Sequence, residues 1–200
     1  MASKDWKGYT WTEKHGFTFD KVWNLLEYGN TLDTRVEFSN ELLIGLFWEE
    51  SMFQNWWQQD NNGNDVLGHA AGFGQIERKT LHILNALYPE KRTKYTPEII
   101  VSDPQVSVNA SVDYLRYLRK RFKHSSKIDI LHNYGGAGNG GSTDVSQKVD
   151  QWVKCEDILR GARGEFSEEV LTKALTAAAP DNAPNIKYAI GSGYSSSLGF

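Results

Sequence analysis

Cysteine is nearly absent from this chain of 200 residues, in which Cys155 is the only one. A single thiol excludes an internal disulfide framework and any zinc site built from several cysteines. The five histidines show no metal-site spacing, so we expect neither a metal nor another cofactor. No apolar run approaches the roughly 20 residues that a membrane-spanning helix needs. The net charge of −3 disfavours nucleic acid as a partner that is bound through bulk charge.

Aromatic residues are abundant instead: seven Trp, nine Tyr and nine Phe make up 12% of the chain. Tryptophan stacks well on flat partners such as sugar rings and bases, but the same composition also fits an aromatic core. A hydrophobic content of 40% excludes disorder of the whole chain, and the length fits one domain.

Apolar periodicity predicts six or seven helices with a small strand region, which makes the chain α+β and mostly α. Asp20 is a candidate cap for the first helix, which ends at Gly29 and Asn30. The capping-box pattern at 34–37 predicts a second helix through about Phe53, apolar nearly all round and therefore buried at the centre. Further helices are predicted near 78–88, 108–122, 145–159 and 167–179, strands near 66–67 and 73–76, a loop at 133–141, and a flexible tail over the last ten residues.

Two carboxylates, Glu49 and Glu50, stand near the end of the central helix. Glu50 shares a helix side with Leu46 and Phe47, so its carboxyl group is expected among apolar neighbours. Burial raises the pKa of a carboxyl group, and an acid that stays protonated near neutral pH can act as a general acid. Periodicity does not choose between Glu49 and Glu50, and a buried glutamate can also simply hydrogen-bond a helix end.

The segment around these glutamates resembles a known enzyme signature. Residues 46–53 read Leu-Phe-Trp-Glu-Glu-Ser-Met-Phe, which is similar to the Glu-Ser-x-Phe signature of lytic transglycosylases and goose-type lysozymes. Three further segments resemble motifs of that superfamily in the same order: Gly72-Phe73-Gly74-Gln75-Ile76 with Glu77-Arg78-Lys79, Asp103-Pro104 with Asn109 before a helix containing Tyr114-Leu115, and Asn133-Tyr134-Gly135-Gly136. The family has Met at the position of Gly74 and Tyr-Asn where this chain has Asn133-Tyr134, so the residue that takes the tyrosine's role stays open.

The resemblance implies a lysozyme-like domain, with a central buried helix and a small strand region lining a glycan cleft. In that family the glutamate at the position of Glu50 is the catalytic acid/base. It cleaves the β-1,4 bond between N-acetylmuramic acid and N-acetylglucosamine in peptidoglycan. The implied organisation is one domain over 1–200, with an N-terminal extension at 1–30, a catalytic core at 40–140, and C-terminal helices and a tail at 142–200.

The implied substrate-binding residues lie in the matched motifs and in the loop after the glutamates: Ser51, Trp56, Gly72, Phe73, Gln75, Asn133, Tyr134 and Gly135. Ser51 is also a candidate for orienting Glu50. The loop at 54–65 joins Trp to Asn and Gln side chains, which suits stacking on sugar rings and hydrogen bonding to hydroxyl and acetamide groups. Alternatively, Trp56 and Trp57 pack inward beneath a hydrophilic loop.

A second carboxylate would decide the mechanism. An inverting hydrolase needs a base that places water on the far side of the sugar. Asp65 is the first candidate and Asp60 the second, because both lie between Glu50 and the glycine-containing turn at 72–74. A lytic transglycosylase needs no such base, since it closes a 1,6-anhydro ring with the sugar's own hydroxyl group.

The peptidoglycan glycan strand is the expected partner, and chitin or chitosan is the alternative polymer. A glycan-binding module of the same fold without catalysis is the alternative from another functional class. The N-terminus shows no apolar segment of a secretory signal. Action on the cell wall, in the periplasm or outside the cell, would then depend on phage lysis or on a signal-independent secretion route. A protein injected into rival cells would imply an immunity or inhibitor protein as a second partner.

Overall fold

The computed structural model describes residues 11–28, 38–57, 70–89, 94–136 and 143–191. These ranges contain α1 (Phe19–Tyr28), α2 (Asn40–Ser51), β1 (Ala70–Ala71), β2 (Ile76–Glu77), α3 (Arg78–Leu87), α4 (Pro97–Ser102), α5 (Pro104–Arg121), α6 (Lys127–Tyr134), α7 (Thr143–Gly161), α8 (Glu168–Ala178), a 3₁₀ helix (Pro180–Asn185) and α9 (Ile186–Ile190). The chain is therefore mostly helical with one small sheet, as its periodicity predicts. None of the helices described is long and apolar enough to cross a membrane.

Helix α2 is the central buried helix that the sequence predicts. Every residue from Leu42 to Trp48 is buried. Helix α7 comes closest at Gly45, where an added Cβ would lie 3.0 Å from the Cβ of Cys155. The predicted start of α2 is wrong, because Ser39 caps the helix by accepting a hydrogen bond from the backbone N–H of Leu42. The predicted capping box at 34–37 lies outside the described residues.

Helices from both ends of the chain pack on α2. Helix α1 buries Phe19, Val22 and Leu26, and it packs on α2 although it lies within the predicted N-terminal extension. Helices α7 and α8 pack on α2 and on each other. One hydrophobic core joins the C-terminal helices to the segment that carries the sequence motifs.

The sheet consists of two short antiparallel strands in which Ala71 pairs with Ile76. The predicted strand at 73–76 is mostly a tight turn, because Gly72 and Gln75 both have positive φ angles, of 79° and 46°. An isolated bridge between Trp57 and Ala71 ties this turn to the chain that leaves α2. The predicted strand near 66–67 lies outside the described residues.

Sequence reasoning misses all four short helices among the described residues: α4, α6, the 3₁₀ helix and α9. Helix α4 has only six residues and begins with Pro97 after the cap residue Thr96, which is too short for apolar periodicity to show. Helix α6 begins with a complete capping box between Ser126 and Asp129. It runs through Tyr134, so the predicted loop at 133–141 begins too early.

Candidate active site

Both glutamates lie in the last turn of α2, where the helix carries no basic residue. The C-terminal end of a helix carries partial negative charge, which disfavours carboxylates. The chain then leaves the helix through Met52 and Phe53, whose φ angles of 55° and 59° are unusual for residues other than glycine. Both side chains are buried, and this packing holds the strained turn in place. Neither the two carboxylates at the C-terminal end of the helix nor the strained turn after it is favoured by stability alone. The end of α2 is therefore a candidate functional position.

The side chain of Glu50 is partly exposed, and its surroundings raise its pKa from 4.5 to about 8. Burial is the largest cause, and the negative charge of Glu49 adds to it. A hydrogen bond with Glu49 acts in the same direction, whereas the positive charge of Lys148 acts against it. Glu50 is therefore a carboxylic acid at neutral pH and can donate a proton.

Lys148 of α7 forms an ion pair with Glu49, with 2.7 Å between Nζ and Oε1. The two side chains are 32% and 12% exposed, so this pair is shielded from solvent more than a typical surface pair. Burial alone would lower the pKa of Lys148, but the neighbouring carboxyl groups of Glu50 and Glu49 raise it above its ordinary value. Sequence reasoning misses Lys148, because it lies outside every recognised motif.

Tyr134 faces inward from the last turn of α6, and its hydroxyl group donates a 2.9 Å hydrogen bond to the carbonyl oxygen of Gly74. Burial raises the pKa of Tyr134 well above 10, and the charge of Glu50 contributes to the shift, so the phenol stays neutral beside the acid. The neighbouring Asn133 donates from Nδ2 to the carbonyl of Asp129 in its own helix. Of the two residues, Tyr134 is the one with a hydrogen bond to the turn at 72–75.

Glycine is required twice in that turn because α5 approaches it closely. An added Cβ at Gly72 would lie 2.4 Å from Oγ of Ser107, and one at Gly74 would lie 2.3 Å from Oγ of Ser111 and 2.2 Å from the hydroxyl oxygen of Tyr134. Ser107 also accepts a 2.8 Å hydrogen bond from the backbone N–H of Phe73. The methionine of the family motif would not fit at Gly74 beside Tyr134. The small serines four residues apart on α5 are the signal that sequence reasoning overlooked.

Gln75 ends the turn in a strained, left-handed conformation, with φ at 46°. Its Nε2 donates to the carbonyl oxygen of Gly72, whereas its Oε1 is buried and has no hydrogen-bond partner among the described residues. An unsatisfied buried acceptor costs about 1–3 kcal/mol. Strain and an unused acceptor at one residue are features that a ligand with an N–H or O–H donor would relieve.

Several predicted substrate-binding side chains lie in the interior. Ser51 and Phe73 are both 0% exposed and Trp56 is 2% exposed. Ser51 donates its hydroxyl to the carbonyl of Phe47, one turn back in the helix, so the structure gives it no role in orienting Glu50. These three side chains therefore lie in the core, and their assignment to substrate binding stays a prediction. Trp57 is the partly exposed tryptophan of the pair.

The remaining predicted residues fall at the edge of the site or beyond the described ranges. Gly135 caps α6, and an added Cβ there would lie 2.9 Å from Val145 at the start of α7, so its role is close packing. Asp65, the candidate second carboxylate, and Asp60 lie outside the described residues. Among the described residues, no three His, Cys, Asp or Glu side chains form a group that could hold a metal ion.

No protein-family model, curated protein or solved structure matches this chain. The chemistry of Glu50, Glu49, Lys148, Tyr134 and Gln75 therefore carries the functional argument.

The raised pKa of Glu50 predicts how stability depends on pH. Glu50 titrates near 4.5 in the unfolded chain and near 8 in the folded protein, so the folded protein holds one more proton between these values. The free energy of unfolding is therefore expected to fall as pH rises through this window and to level off above it. Glu50→Gln removes this titration, so its stability should change less between about pH 5 and about pH 9. Urea denaturation at a series of pH values measures both slopes, and equal slopes would contradict a raised pKa.

Proposed function

We propose that this protein is a lysozyme-like enzyme that cleaves the glycan strand of peptidoglycan, as a lysozyme or as a lytic transglycosylase. The observation that carries the proposal is the partly exposed carboxyl group of Glu50, which is protonated at neutral pH at the end of a buried helix. Protonation of the oxygen that leaves the sugar is the step that such an acid performs in glycosidic cleavage. The four motifs that resemble the superfamily support the choice of peptidoglycan as the polymer.

The proposed reaction uses the proton of Glu50 first and its carboxylate afterwards. Glu50 donates its proton to the glycosidic oxygen while the bond from the anomeric carbon to that oxygen breaks. The resulting carboxylate then accepts a proton from the incoming nucleophile. In a transglycosylase this nucleophile is the 6-hydroxyl of the same sugar, which forms a 1,6-anhydro ring. In an inverting hydrolase it is water, and a second carboxylate such as Asp65 would accept the proton of that water in place of Glu50.

Two neighbouring groups support this assignment. Tyr134 stays neutral in the field of Glu50. Its hydrogen bond to the carbonyl oxygen of Gly74 holds the turn at 72–75 to α6. Gln75 presents a buried oxygen that lacks a donor among the described residues. A sugar hydroxyl or the N–H of an acetamide group would supply that donor. We propose these two residues as positioning and substrate-binding groups respectively.

Mass spectrometry of the products from purified peptidoglycan sacculi tests the proposal. Fragments with reducing N-acetylmuramic acid ends indicate a lysozyme, and fragments with 1,6-anhydro ends indicate a lytic transglycosylase. A parallel digestion of N-acetylglucosamine oligomers and partly deacetylated chitosan tests the alternative polymers. Cleavage of these polymers without cleavage of sacculi would replace the proposed substrate. Glycan binding without any cleavage would favour a non-catalytic module.

Action on the cell wall is part of the same proposal. The enzyme would meet its substrate in the periplasm or outside the cell. If the protein is delivered into rival cells, a producing cell needs an immunity protein that blocks the site around Glu50. Co-purification from producing cells, with Glu50→Gln as bait, tests for such a partner.

A further inference from the structure

We propose that Lys148 on α7 decides which of the two adjacent carboxyl groups holds the proton. Its contact with the carboxyl group of Glu49 leaves the proton on Glu50. The catalytic consequence of this arrangement rests on the proposed function, whereas the position of the proton does not. Lys148 is thus a positioning residue, contributed by a helix outside the segment that carries the sequence motifs.

The two glutamates are neighbours in the chain, but they differ in their contacts with Lys148. Lys148 Nζ lies 2.7 Å from Oε1 of Glu49. The other oxygen of Glu49, Oε2, is buried and meets no ordinary donor among the described residues. A protonated carboxyl group on the neighbouring Glu50 is a donor that would satisfy this oxygen. Glu49 would then accept hydrogen bonds from one cation and one neutral acid.

Two nearby carboxyl groups cannot both ionise without strong repulsion, so one proton is shared unless something breaks the symmetry. A lysine that contacts only one of them breaks it, because the contacted group gains more from ionisation. With Lys148 positive, Glu49 negative and Glu50 neutral, the group of three has no net charge in a poorly solvated environment. This distribution is the least costly one for partly buried groups.

Other charged and titratable groups around the three act more weakly. Asp144, one turn before Lys148 on α7, also raises the pKa of Lys148, but it does so less than Glu50 and Glu49. Tyr134 approaches Glu50 from α6 and is itself flanked by Tyr114 of α5. Both phenols have raised pKa values, chiefly through burial, and are neutral over the range in which Glu50 titrates. Neither of them competes with Lys148 for the negative charge of Glu49.

Removing each partner should shift the titration of Glu50 in opposite directions. In Glu49→Gln, the negative charge of Glu49 is lost while the positive charge of Lys148 remains, so Glu50 should ionise at a pH lower by about one unit or more. In Lys148→Met, the attraction that favours ionised Glu50 is lost, so the pair should hold one proton to higher pH and distribute it over both carboxyl groups. Lys148→Arg keeps the charge and should titrate like the wild type. Lys154→Met removes an exposed lysine of the same helix and serves as the control.

The experiment is a carbon-13 NMR titration of the glutamate side-chain carboxyls, with Glu50→Gln used to assign the Glu50 signal. It needs no substrate, so its result does not depend on the proposed function. The expected result is one carboxyl with a high pKa in the wild type, a lower value in Glu49→Gln, and a shared titration in Lys148→Met. Unchanged titration of Glu50 in both variants would overturn the proposal, as would a proton found on Glu49 in the wild type.

The pH profile of sacculus cleavage adds a second readout. In Glu49→Gln the alkaline limit of activity should move down with the pKa of Glu50. A shift of one unit from about 8 lowers activity about twofold at pH 7, a larger shift lowers it further, and activity recovers in acid. A purely structural role for Glu49 would lower activity equally at every pH, which would count against the proposal. If sacculi are not cleaved at all, the proposed function fails, and the NMR titration alone supports or overturns the role of Lys148.

Discussion

Glu50→Gln is expected to abolish cleavage of sacculi, with a loss of at least about 10²-fold in rate. The amide keeps the shape of the carboxyl group, but it cannot donate the proton that the leaving oxygen needs. Because the acid is neutral at pH 7, the substitution changes no charge there, and the variant should fold normally. The release of soluble fragments from sacculi, with circular dichroism as the check on folding, measures both parts of this expectation.

Glu41→Gln is the matched control, because Glu41 lies in the first turn of the same helix and carries the same chemical change. It should cleave sacculi like the wild type. The comparison with Glu49→Gln is sharper, since that variant should recover activity in acid whereas Glu50→Gln should stay inactive at every pH. Near-normal turnover in Glu50→Gln would reject Glu50 as the acid, and an inactive Glu49→Gln beside it would move the role to Glu49.

Trp56→Ala is expected to lower the free energy of unfolding by about 3–5 kcal/mol, the usual cost of removing a large aromatic side chain from a core. Trp56 is 2% exposed, and its carbonyl oxygen accepts a 2.9 Å hydrogen bond from the backbone N–H of Gly72. Its ring also lies against His15, with 6.5 Å between the ring centroids. Loss of this ring should therefore loosen the turn that carries Gln75. Urea denaturation monitored by circular dichroism measures the change.

Trp57→Ala is the matched control for this prediction, because it removes the same side chain from a partly exposed position next along the chain. It should destabilise the protein less than Trp56→Ala. If an exposed tryptophan of this segment stacks on sugar, Trp57→Ala should weaken the change in fluorescence caused by N-acetylglucosamine oligomers. A small stability loss in Trp56→Ala, together with weaker sugar binding, would return Trp56 to the substrate-facing role that its sequence context suggests.

The helices that the sequence predicts well are the ones with long apolar stripes. Helix α5 has a predicted stripe from Val108 to Phe122, and it begins earlier only because Asp103 caps it. Helix α8 begins after Ser167, as its capping pattern predicts. Helices α4 and α6 were missed because each has eight residues or fewer, so the apolar pattern has too few turns to repeat. Strand prediction near 73–76 failed because positive φ angles, which hydrophobic patterns do not report, turn the chain there.

In the candidate site, too, some features could be predicted from the sequence and others could not. The sequence narrows the acid to Glu49 and Glu50, which both stand near the end of the buried helix, but periodicity does not choose between them. Tyr134 and Gln75 could be selected only through a family resemblance, which does not reveal which of their atoms already have partners. Ser51, Trp56 and Phe73 are buried although the motifs suggest contact with substrate, because motif position says nothing about the direction of a side chain. Their burial depends on elements that lie far away in the sequence.

By itself, the sequence determined that this chain is mostly helical, that α2 lies at its centre, and that a glutamate at the end of α2 is chemically unusual. These features follow from local composition, since capping residues and apolar periodicity act within a few turns of the chain. Only the tertiary structure decided that Lys148 contacts Glu49, and that Tyr134 rather than Asn133 reaches the turn at Gly74. The first contact joins residues about 100 positions apart and the second joins residues 60 apart, and packing of α6 and α7 against the rest of the fold brings them together. Electrostatic effects on a pKa act through space, so no local pattern could have assigned the proton to Glu50.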